Sequence, residues 1–362
     1  MEMERLFTPC AIGNVKLKNR VVFAPTSLGG HGLELYREIA AGGTGLVILP
    51  DVSVQPSMLG APSLDSGWFF PYFRQVLYLC RKEGCEAAPQ LFFPEYDLAY
   101  VGGLFQNRQS LGAEEVRRKM AENVDGYCDS LSETQAEEII ARFGAAAKYA
   151  AAAGFRLVQI HGDRLLGSFS SAVFNHRTDR YGKRTAFPAA VVRAVKEAAP
   201  ELAVDYKLTV RTEEPRLGRG GVAIGEVPEF VRALEEAGAD SFHVAAANHS
   251  NLRDTIPAAN HPFLRGEGCF SHLGEAVLNC ASKPVCLVGK IQHGAFAEGL
   301  VERGYGFVGL SRQLIADPQW PNKVRAGREE EIRYCVYCNQ KCVGGLMSHK
   351  PVGCVLRQET EG

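Results

Sequence analysis

The sequence predicts an α/β fold, a (β/α)8 TIM barrel in which eight parallel strands alternate with helices. Two observations predict it: eight short apolar segments recur along the chain, and helical stretches separate them. The segments are apolar throughout, as expected for strands covered on both faces. They are VVFAP (21–25), LVILP (46–50), APQLF (88–92), LVQIH (157–161), VDYKLTV (204–210), SFHVAA (241–246), PVCLVG (284–289) and GFVGLS (306–311).

The helices between these strands have recognisable signals. Ser132 and Gln135 have the spacing of a capping box, which opens an alanine-rich helix that we expect to end near Ala153. Apolar residues three and four apart predict the other helices. These are expected at 33–40, 69–82, 187–199, 227–237, 273–281, 295–302 and 320–332. A doubly wound sheet is the alternative, but the first strand leads into TSLGGHG and not into a G-x-G-x-x-G loop.

Composition excludes several classes of protein. The 362 residues carry a net charge of −1 and no basic run, which argues against a nucleic-acid partner. No apolar run approaches the ~18 residues of a membrane span. The N-terminus does not resemble a signal peptide and most of the eleven cysteines lie in apolar segments, so we expect reduced thiols and a cytoplasmic location. We also expect a homo-oligomer.

Four cysteines close to the C-terminus have an unusual spacing. Cys335, Cys338 and Cys342 form C-x2-C-x3-C, and Cys354 follows after eleven residues. A cubane iron–sulfur cluster needs four thiolates, one for each corner that it presents. Zinc also accepts four thiolates, but usually as two separated pairs. The spacing favours a [4Fe–4S] cluster, with zinc and no metal as the alternatives.

The active site of such a barrel lies at the carboxyl ends of its strands. The loops after the seventh and eighth strands are the usual phosphate site, and here they carry Gly289-Lys290 and Ser311-Arg312. Lysine and arginine beside unhindered backbone N–H groups suit a phosphate monoester. The alternative is that the glycines only allow tight strand exits and that Arg312 forms a surface ion pair.

Further polar residues follow the fourth and fifth strands. His161 and Arg164 flank the end of the fourth strand, in either a structural or a functional role. Lys207 and Arg211 are four residues apart, so strand alternation points them to the same side. Two cations at a barrel mouth predict an anionic ligand or, alternatively, a buried ion pair with Asp205 or Glu213.

Several longer segments resemble the Old Yellow Enzyme family of FMN-dependent NADH:flavin oxidoreductases. They are LFTPCAIGNVKLKNRVVFAP (6–25), NHRTDRYG (175–182), the stretch 288–329 and CVYCNQKC (335–342). The resemblance covers essentially the whole chain. The last segment is similar to the iron–sulfur branch of the family, which includes 2,4-dienoyl-CoA reductase, trimethylamine dehydrogenase and bile-acid enoate reductases.

The resemblance implies a set of cofactor contacts. Gln90 would contact the flavin pyrimidine, and Arg211 would lie near its N1/O2 edge, where a cation stabilises the reduced ring. Ser27 stands where the trimethylamine branch has an attaching cysteine, so the flavin is expected to be non-covalent. The remaining implied contacts are Pro25, Thr26 and Ser27 to the ring, Gly289, Lys290, Ser311 and Arg312 to the phosphate, and Cys335, Cys338, Cys342 and Cys354 to the cluster.

The segment after the fourth strand departs from the family pattern. The family commonly has H-x-x-[HN]-G-Y-L there, and its tyrosine supplies a proton to the substrate. This chain has HGDRLLGSF, in which His161 fits the first histidine, Arg164 stands at the second position and no tyrosine follows. His249 stands where the dienoyl-CoA reductase branch has an active-site histidine, so we predict that it is the replacement acid.

The resemblance implies an oxidoreductase with a barrel over residues 1–332 and a cluster-binding extension over residues 333–362. The favoured reaction is hydride transfer from flavin N5 to a carbonyl-conjugated C=C bond, with NADH or NADPH as candidate reductant. An amine or N-methyl dehydrogenase and an electron-transfer or scaffold subunit are the alternatives. Family members with this cysteine pattern usually continue into FAD- and NAD(P)-binding domains, so we expect a separate electron-transfer protein or FAD/NAD(P) subunit as a partner.

Overall fold

The computed structural model describes residues 3–28, 32–56, 62–211, 219–247, 252–348 and 350–357. It confirms the (β/α)8 barrel and all eight predicted strands. Two strands of a hairpin precede the barrel, β1 (Cys10–Ile12) and β2 (Val15–Leu17). The barrel strands are β3 (Val21–Phe23), β4 (Leu46–Ser53), β5 (Glu86–Phe92), β6 (Leu157–His161), β7 (Ala203–Arg211), β9 (Ser241–Ala246), β10 (Val285–Leu287) and β11 (Phe307–Leu310), with the two-residue β8 (Val222–Ala223) beside β7.

The barrel closes because its first and last strands pair. Strand β3 pairs in parallel with β11 on one side and with β4 on the other. The remaining neighbours follow in chain order, β4–β5–β6–β7 and then β7–β9–β10–β11, all of them parallel. Every strand therefore ends at the same mouth, which brings side chains from distant parts of the sequence together.

The helices surround this ring. Their bounds are α1 (Leu33–Ala41), α2 (Phe70–Arg81), α3 (Leu98–Gln106), α4 (Arg108–Leu111), α5 (Ala113–Ser130), α6 (Glu133–Ala153), α7 (Arg164–Ser170), α8 (Ala186–Ala198), α9 (Val227–Ala237), α10 (Leu252–Thr255), α11 (Ser271–Leu278), α12 (Gly294–Glu302), α13 (Arg312–Ala316), α14 (Trp320–Arg325) and α15 (Val343–Met347). The capping box of α6 is confirmed, since Ser132 and Gln135 each bond the other's backbone N–H. No helix in the described ranges has the length and apolar composition needed to cross a membrane.

Two helical predictions need correction. The expected helix 320–332 ends at Arg325, and a short 3-10 turn follows at Glu329–Glu331. Gly327 lies between them with φ of 67°, a conformation that breaks a helix and that glycine adopts at little cost. The sequence pattern also did not predict α3 to α5, because α5 buries only Val116, Val124 and Cys128 and its apolar stripe is weak.

The amino end of the barrel is closed by apolar side chains. Ile12, Val15 and Leu17 of the β1–β2 hairpin are buried against the lower ends of the strands. The rest of this cluster consists of Val22, Leu46, Ile48, Ala88, Leu157, Ala203, Cys286 and Phe307. Because apolar side chains fill the amino end, the polar side chains lie at the opposite, carboxyl end.

Candidate functional site

A cavity of about 290 Å³ lies at the carboxyl ends of the barrel strands. Its volume is at the lower end of the range for small-molecule sites. Eleven residues that the sequence pointed to line it together. They are Pro25, Thr26, Ser27, Gln90, His161, Arg164, Lys207, Gly289, Lys290, Ser311 and Arg312.

A buried chain of hydrogen bonds supports Gln90 from inside the barrel. The Gln90 amide donates to Oε1 of Gln159 at 2.6 Å, and the Gln159 amide donates to Oδ2 of Asp205 at 2.6 Å. The Ser241 hydroxyl donates to the other carboxylate oxygen of Asp205, also at 2.6 Å. A carboxylate accepts only, so Asp205 orients both amides and turns the Gln90 oxygen away from Gln159.

The central wall of the cavity combines a half-buried lysine, Lys207, with two buried histidines, His161 and His243. Burial lowers the pKa of Lys207, and it lowers the pKa of His161 well below its usual range. Burial, helped by the Lys207 charge, lowers the pKa of His243 to about 3. Both histidines are therefore neutral near neutral pH. His161 Nδ1 accepts from the backbone N–H of Asp163 at 3.2 Å, which leaves the ring proton on Nε2.

Arg164 is held at the rim of the cavity in an unusual backbone conformation. Its φ is 55°, in the left-handed region that non-glycine residues rarely adopt. Its Nη1 donates to Oε1 of the buried Glu95 at 3.1 Å, and the Glu95 charge raises the pKa of the guanidinium further. Backbone strain of this kind persists where surrounding contacts impose it, often at functional sites.

Only one of the two cations on strand β7 lines the cavity. Lys207 does so, whereas Arg211 does not. Arg211 lies close enough to Glu226 for its charge to lower the pKa of that carboxyl slightly. The larger cause of this lowered pKa is the hydrogen bonding from Arg184 to Glu226. The two cations that the sequence predicted to face one site therefore do not line the same cavity. Asp205 takes its hydrogen bonds from Gln159 and Ser241, so the alternative of a hydrogen-bonded Lys207–Asp205 pair is not observed.

Lys290 and Arg312 mark a second, cationic end of the cavity. The chain turns sharply after β10, with φ of 130° at Gly289 and 54° at Lys290. Lys290 Nζ donates to the carbonyl oxygens of Ala258 and Leu264 at 2.8 and 2.7 Å. Burial, with Arg312 and Arg265 nearby, lowers the Lys290 pKa.

Arg312 links this cationic end to the cysteine-rich extension. Its Nη1 donates to the Pro257 carbonyl at 2.9 Å and to Oδ1 of Asn339 at 2.7 Å. Its guanidinium carbon lies 4.7 Å from the centre of the Tyr337 ring. Ser311, the residue before it, places its hydroxyl 2.7 Å from that of Thr26, which ties the ends of strands β11 and β3 together.

The four predicted cluster ligands surround a second, small cavity. Cys335, Cys338, Cys342 and Cys354 all line it, and Arg312 lines both cavities. No group of three His, Cys, Asp or Glu side chains in the described part of the chain is arranged to hold a single metal ion. Burial raises the pKa of Cys335 to about 11, and the Arg312 charge acts in the opposite direction.

The structure also adds residues that the sequence did not single out. Glu95 and Tyr337 contact predicted residues, but they lie in loops without regular periodicity, so no pattern marked them. The predicted acid His249 lies outside the described residues. Lys207 and His243 were visible as strand-end residues, but strand register alone did not separate Lys207 from Arg211.

Comparison with known proteins agrees with this geometry. Residues 5–331 match the model of the NADH:flavin oxidoreductase / NADH oxidase family. The chain belongs to this family. It is therefore an oxidoreductase whose relatives are flavin-dependent, and the match covers the barrel and stops before the four cysteines.

Three relatives in this family are similar along nearly the whole chain. A bilirubin reductase of Clostridium symbiosum is 42% identical over an alignment of 370 positions, which covers 99% of each chain. A bilirubin reductase of Mediterraneibacter gnavus is 36% identical over 98% of this chain and 57% of its own length. A metal reductase of Desulforamulus reducens is 30% identical over 99% of this chain and 54% of its own length. The chain thus spans all of the first relative and little more than half of the other two.

Solved structures share the fold at low sequence identity. Histamine dehydrogenase from Rhizobium sp. 4-9 superposes with a TM-score of 0.80 and 22% identity, over 99% of this chain and 52% of that one. A 2-naphthoyl-CoA reductase superposes with a TM-score of 0.80 and 21% identity, over 98% of this chain and 57% of that one. These matches support the barrel and its extension as a fold.

Proposed function

We propose that this chain is an FMN- and [4Fe–4S]-dependent reductase of carbon–carbon double bonds conjugated with a carbonyl group. The observation that carries the proposal is the 42% identity to the C. symbiosum bilirubin reductase over 99% of both chains. Bilirubin belongs to this substrate class, because it has double bonds conjugated with lactam carbonyls. It also carries carboxylates. Bilirubin is therefore the first substrate to test.

The residues of the larger cavity fit a phosphate-bearing flavin. Lys290 and Arg312 bring two buried cations to one end, and in the described structure their hydrogen bonds go to neutral acceptors. Gln90 offers an amide oriented by the Asp205 chain, and Pro25 to Ser27 form an adjoining wall. FMN, when bound there, supplies hydride chemistry at N5.

The polar groups of the central wall suit reduction of a polarised double bond. Lys207 is a cation in the cavity wall that would stabilise negative charge developing during hydride addition. Neutral His161 carries its proton on Nε2 and can hydrogen-bond a carbonyl oxygen without itself adding charge. His249 remains our proposed proton donor, from a loop outside the described residues.

Arg164 is the proposed contact for an acidic group of the substrate. It donates to Glu95 through Nη1, and we assign its other N–H groups to a substrate carboxylate. A pairing of this kind would orient bilirubin, whose carboxylates are remote from the double bonds that change. The departure from the family's H-x-x-[HN] pattern at this position then reflects an anionic substrate.

The extension is the proposed site of a [4Fe–4S] cluster. Its four cysteines line one small cavity. Their spacing, three close together and one further along, favours a cluster over zinc, which usually takes its thiolates as two separated pairs. We propose that electrons arrive from NADH or NADPH or from a separate electron-transfer protein or FAD/NAD(P) subunit.

One anaerobic experiment tests the proposal. The purified protein is assayed for FMN, iron and acid-labile sulfide, reduced with dithionite or NADH, and then mixed with bilirubin or a simple enone. We expect the flavin absorbance to return as the absorbance of the conjugated substrate is lost. If neither compound reoxidises the reduced flavin, the reductase assignment is contradicted. A colourless, iron-free protein would contradict the proposed cofactors.

The same preparation separates the two alternatives. Bleaching of the oxidised flavin by an amine would identify an amine dehydrogenase. A protein that holds both cofactors and responds to no substrate would be an electron-transfer subunit. The names of the three relatives favour reduction.

A further inference from the structure

Tyr337 has a buried hydroxyl group for which the described protein supplies no hydrogen-bond partner. The residue lines the larger cavity, although it belongs to the loop whose neighbouring cysteines, Cys335 and Cys338, line the smaller one. A buried phenolic hydroxyl normally finds a partner, because leaving it unpaired costs about 1–3 kcal/mol. The missing partner is therefore expected to be a bound ligand.

The surroundings of the Tyr337 ring indicate the charge of that ligand. Lys290 Nζ lies 5.4 Å from the ring centre, and the guanidinium carbon of Arg312 lies 4.7 Å from it. Among the described residues, the hydrogen bonds of both cations go to carbonyl and amide oxygens and none to a carboxylate. Two buried cations around one ring leave a region of positive potential that favours an anion.

The backbone holds Tyr337 in a conformation that its own side chain does not favour. Its φ is 52°, and Asn339 two residues later has φ of 58°. The Asn339 side chain accepts from Arg312 and donates to the Ile256 carbonyl at 2.9 Å, and the Tyr337 carbonyl accepts from the Ala259 backbone N–H at 3.0 Å. These contacts fix the turn and hold the phenol at the cationic end of the cavity.

We propose that Tyr337 is a flavin ligand supplied by the cysteine loop, with its hydroxyl donating a hydrogen bond to the phosphate of bound FMN. The inference rests on the proposed function, because it requires FMN in the larger cavity. The hydroxyl is the uncharged donor of a phosphate site whose cations are Lys290 and Arg312. It also couples the two cofactor sites, since the loop that carries Cys335 and Cys338 then contacts the flavin directly.

The test compares FMN with riboflavin, which lacks the phosphate. Dissociation constants are measured anaerobically by flavin fluorescence on flavin-free protein and on Tyr337→Phe, which loses only the hydroxyl. We expect FMN to bind about tenfold more weakly to the variant, the loss expected for one hydrogen bond to a charged group. Riboflavin is expected to bind both proteins equally.

Tyr334→Phe is the matched control. Tyr334 lies three residues earlier on the same segment, lines neither cavity, and its hydroxyl contacts only Glu329, at 3.5 Å, in the described structure. Its removal is expected to leave FMN binding unchanged. A loss of FMN affinity in Tyr334→Phe as large as in Tyr337→Phe would show a general effect on the loop and would overturn the inference.

A second variant guards against misfolding. Glycine adopts the positive φ at position 337 without strain, so Tyr337→Gly is expected to fold, to keep its iron and sulfide, and to bind FMN at least as weakly as Tyr337→Phe. Unchanged FMN affinity in either variant, or equal losses for FMN and riboflavin, overturns the phosphate contact. Failure of the wild-type protein to bind FMN would instead reject the proposed function.

Discussion

The larger cavity and the cysteine extension are two sites built in opposite ways. The cavity takes its walls from all parts of the chain, from Ala24 to Val352, and most of its functional groups stand at the ends of buried strands. The four cysteines lie within 20 consecutive residues, on irregular backbone with positive φ at Tyr337 and Asn339. The geometry of a site on strand ends is fixed by the barrel. The geometry of a site on one loop depends more strongly on the group that the loop binds.

The largest expected effect comes from breaking the extension. Cys338→Ser removes one proposed cluster ligand, so we expect the variant to lose essentially all of its iron and sulfide and its reductase activity. It should still bind FMN, but more weakly, because the same loop carries Tyr337. Cys280→Ser is the matched control, since Cys280 is also exposed but lies in the barrel. Iron and sulfide assays and flavin titration of both variants check this, and normal iron content in Cys338→Ser would remove Cys338 from the ligand set.

The second prediction separates two cations on one strand of the barrel. Lys207→Met is expected to lower kcat about 100-fold, because it removes the charge that faces the cavity, and to make the flavin reduction potential more negative. Arg211→Met is expected to leave both quantities nearly unchanged. Steady-state kinetics and anaerobic reductive titration measure them. A larger loss in Arg211→Met than in Lys207→Met would restore the assignment made from the sequence resemblance.

The third prediction uses the neutral histidines of the cavity wall. The pKa of His243 is lowered to about 3, whereas the unfolded chain takes up a proton near pH ~6.5. The stabilisation is therefore complete above about pH 6.5 and is lost as the pH falls towards 3, at up to about 1.4 kcal/mol per pH unit. His243→Gln should flatten the fall of unfolding free energy between pH ~6 and ~4 by about that slope. Urea unfolding at several pH values measures it, and parallel curves for variant and wild type would contradict a neutral buried His243.

The smallest expected effect compares packing in the two regions. A Cβ at Gly309, on strand β11, would lie 2.5 Å from a methyl group of Val288, so Gly309→Ala should cost about 1–3 kcal/mol of unfolding free energy. A Cβ at Gly353, in the extension, would meet nothing within 4 Å, so Gly353→Ala should stay within about 0.5 kcal/mol. Urea unfolding at fixed FMN concentration compares them. Equal effects would mean that the extension is as tightly packed as the barrel.

Much of the fold was predictable from local patterns. The eight strands follow from apolar segments with Gly or Pro boundaries, and α6 follows from its capping box. The helix expected at 320–332 was wrong beyond Arg325, because Gly327 interrupts an otherwise helical pattern. Helices α3 to α5 escaped prediction since they bury few side chains.

The candidate site was predictable in part. Eleven residues at the strand ends converge as expected, because parallel strands in a barrel share one mouth. The sequence could not show which of Lys207 and Arg211 lines the cavity. Both satisfy the alternation of a strand, and they differ only in how far along the barrel they lie. The sequence also did not predict the roles of Glu95 and Tyr337, since the positions of these residues depend on loop conformation.

By itself, the sequence determined the barrel, the family and the spacing of the four cysteines, because hydrophobic periodicity and ligand spacing are local properties of a chain. Only the tertiary structure decided which polar groups meet. It placed Lys207 in the cavity and Arg211 outside it, oriented Gln90 through Asp205, and brought Tyr337 between Lys290 and Arg312. Contacts between residues far apart in sequence depend on closure of the barrel and on loop backbone conformation, and neither has a signature in a short stretch of residues.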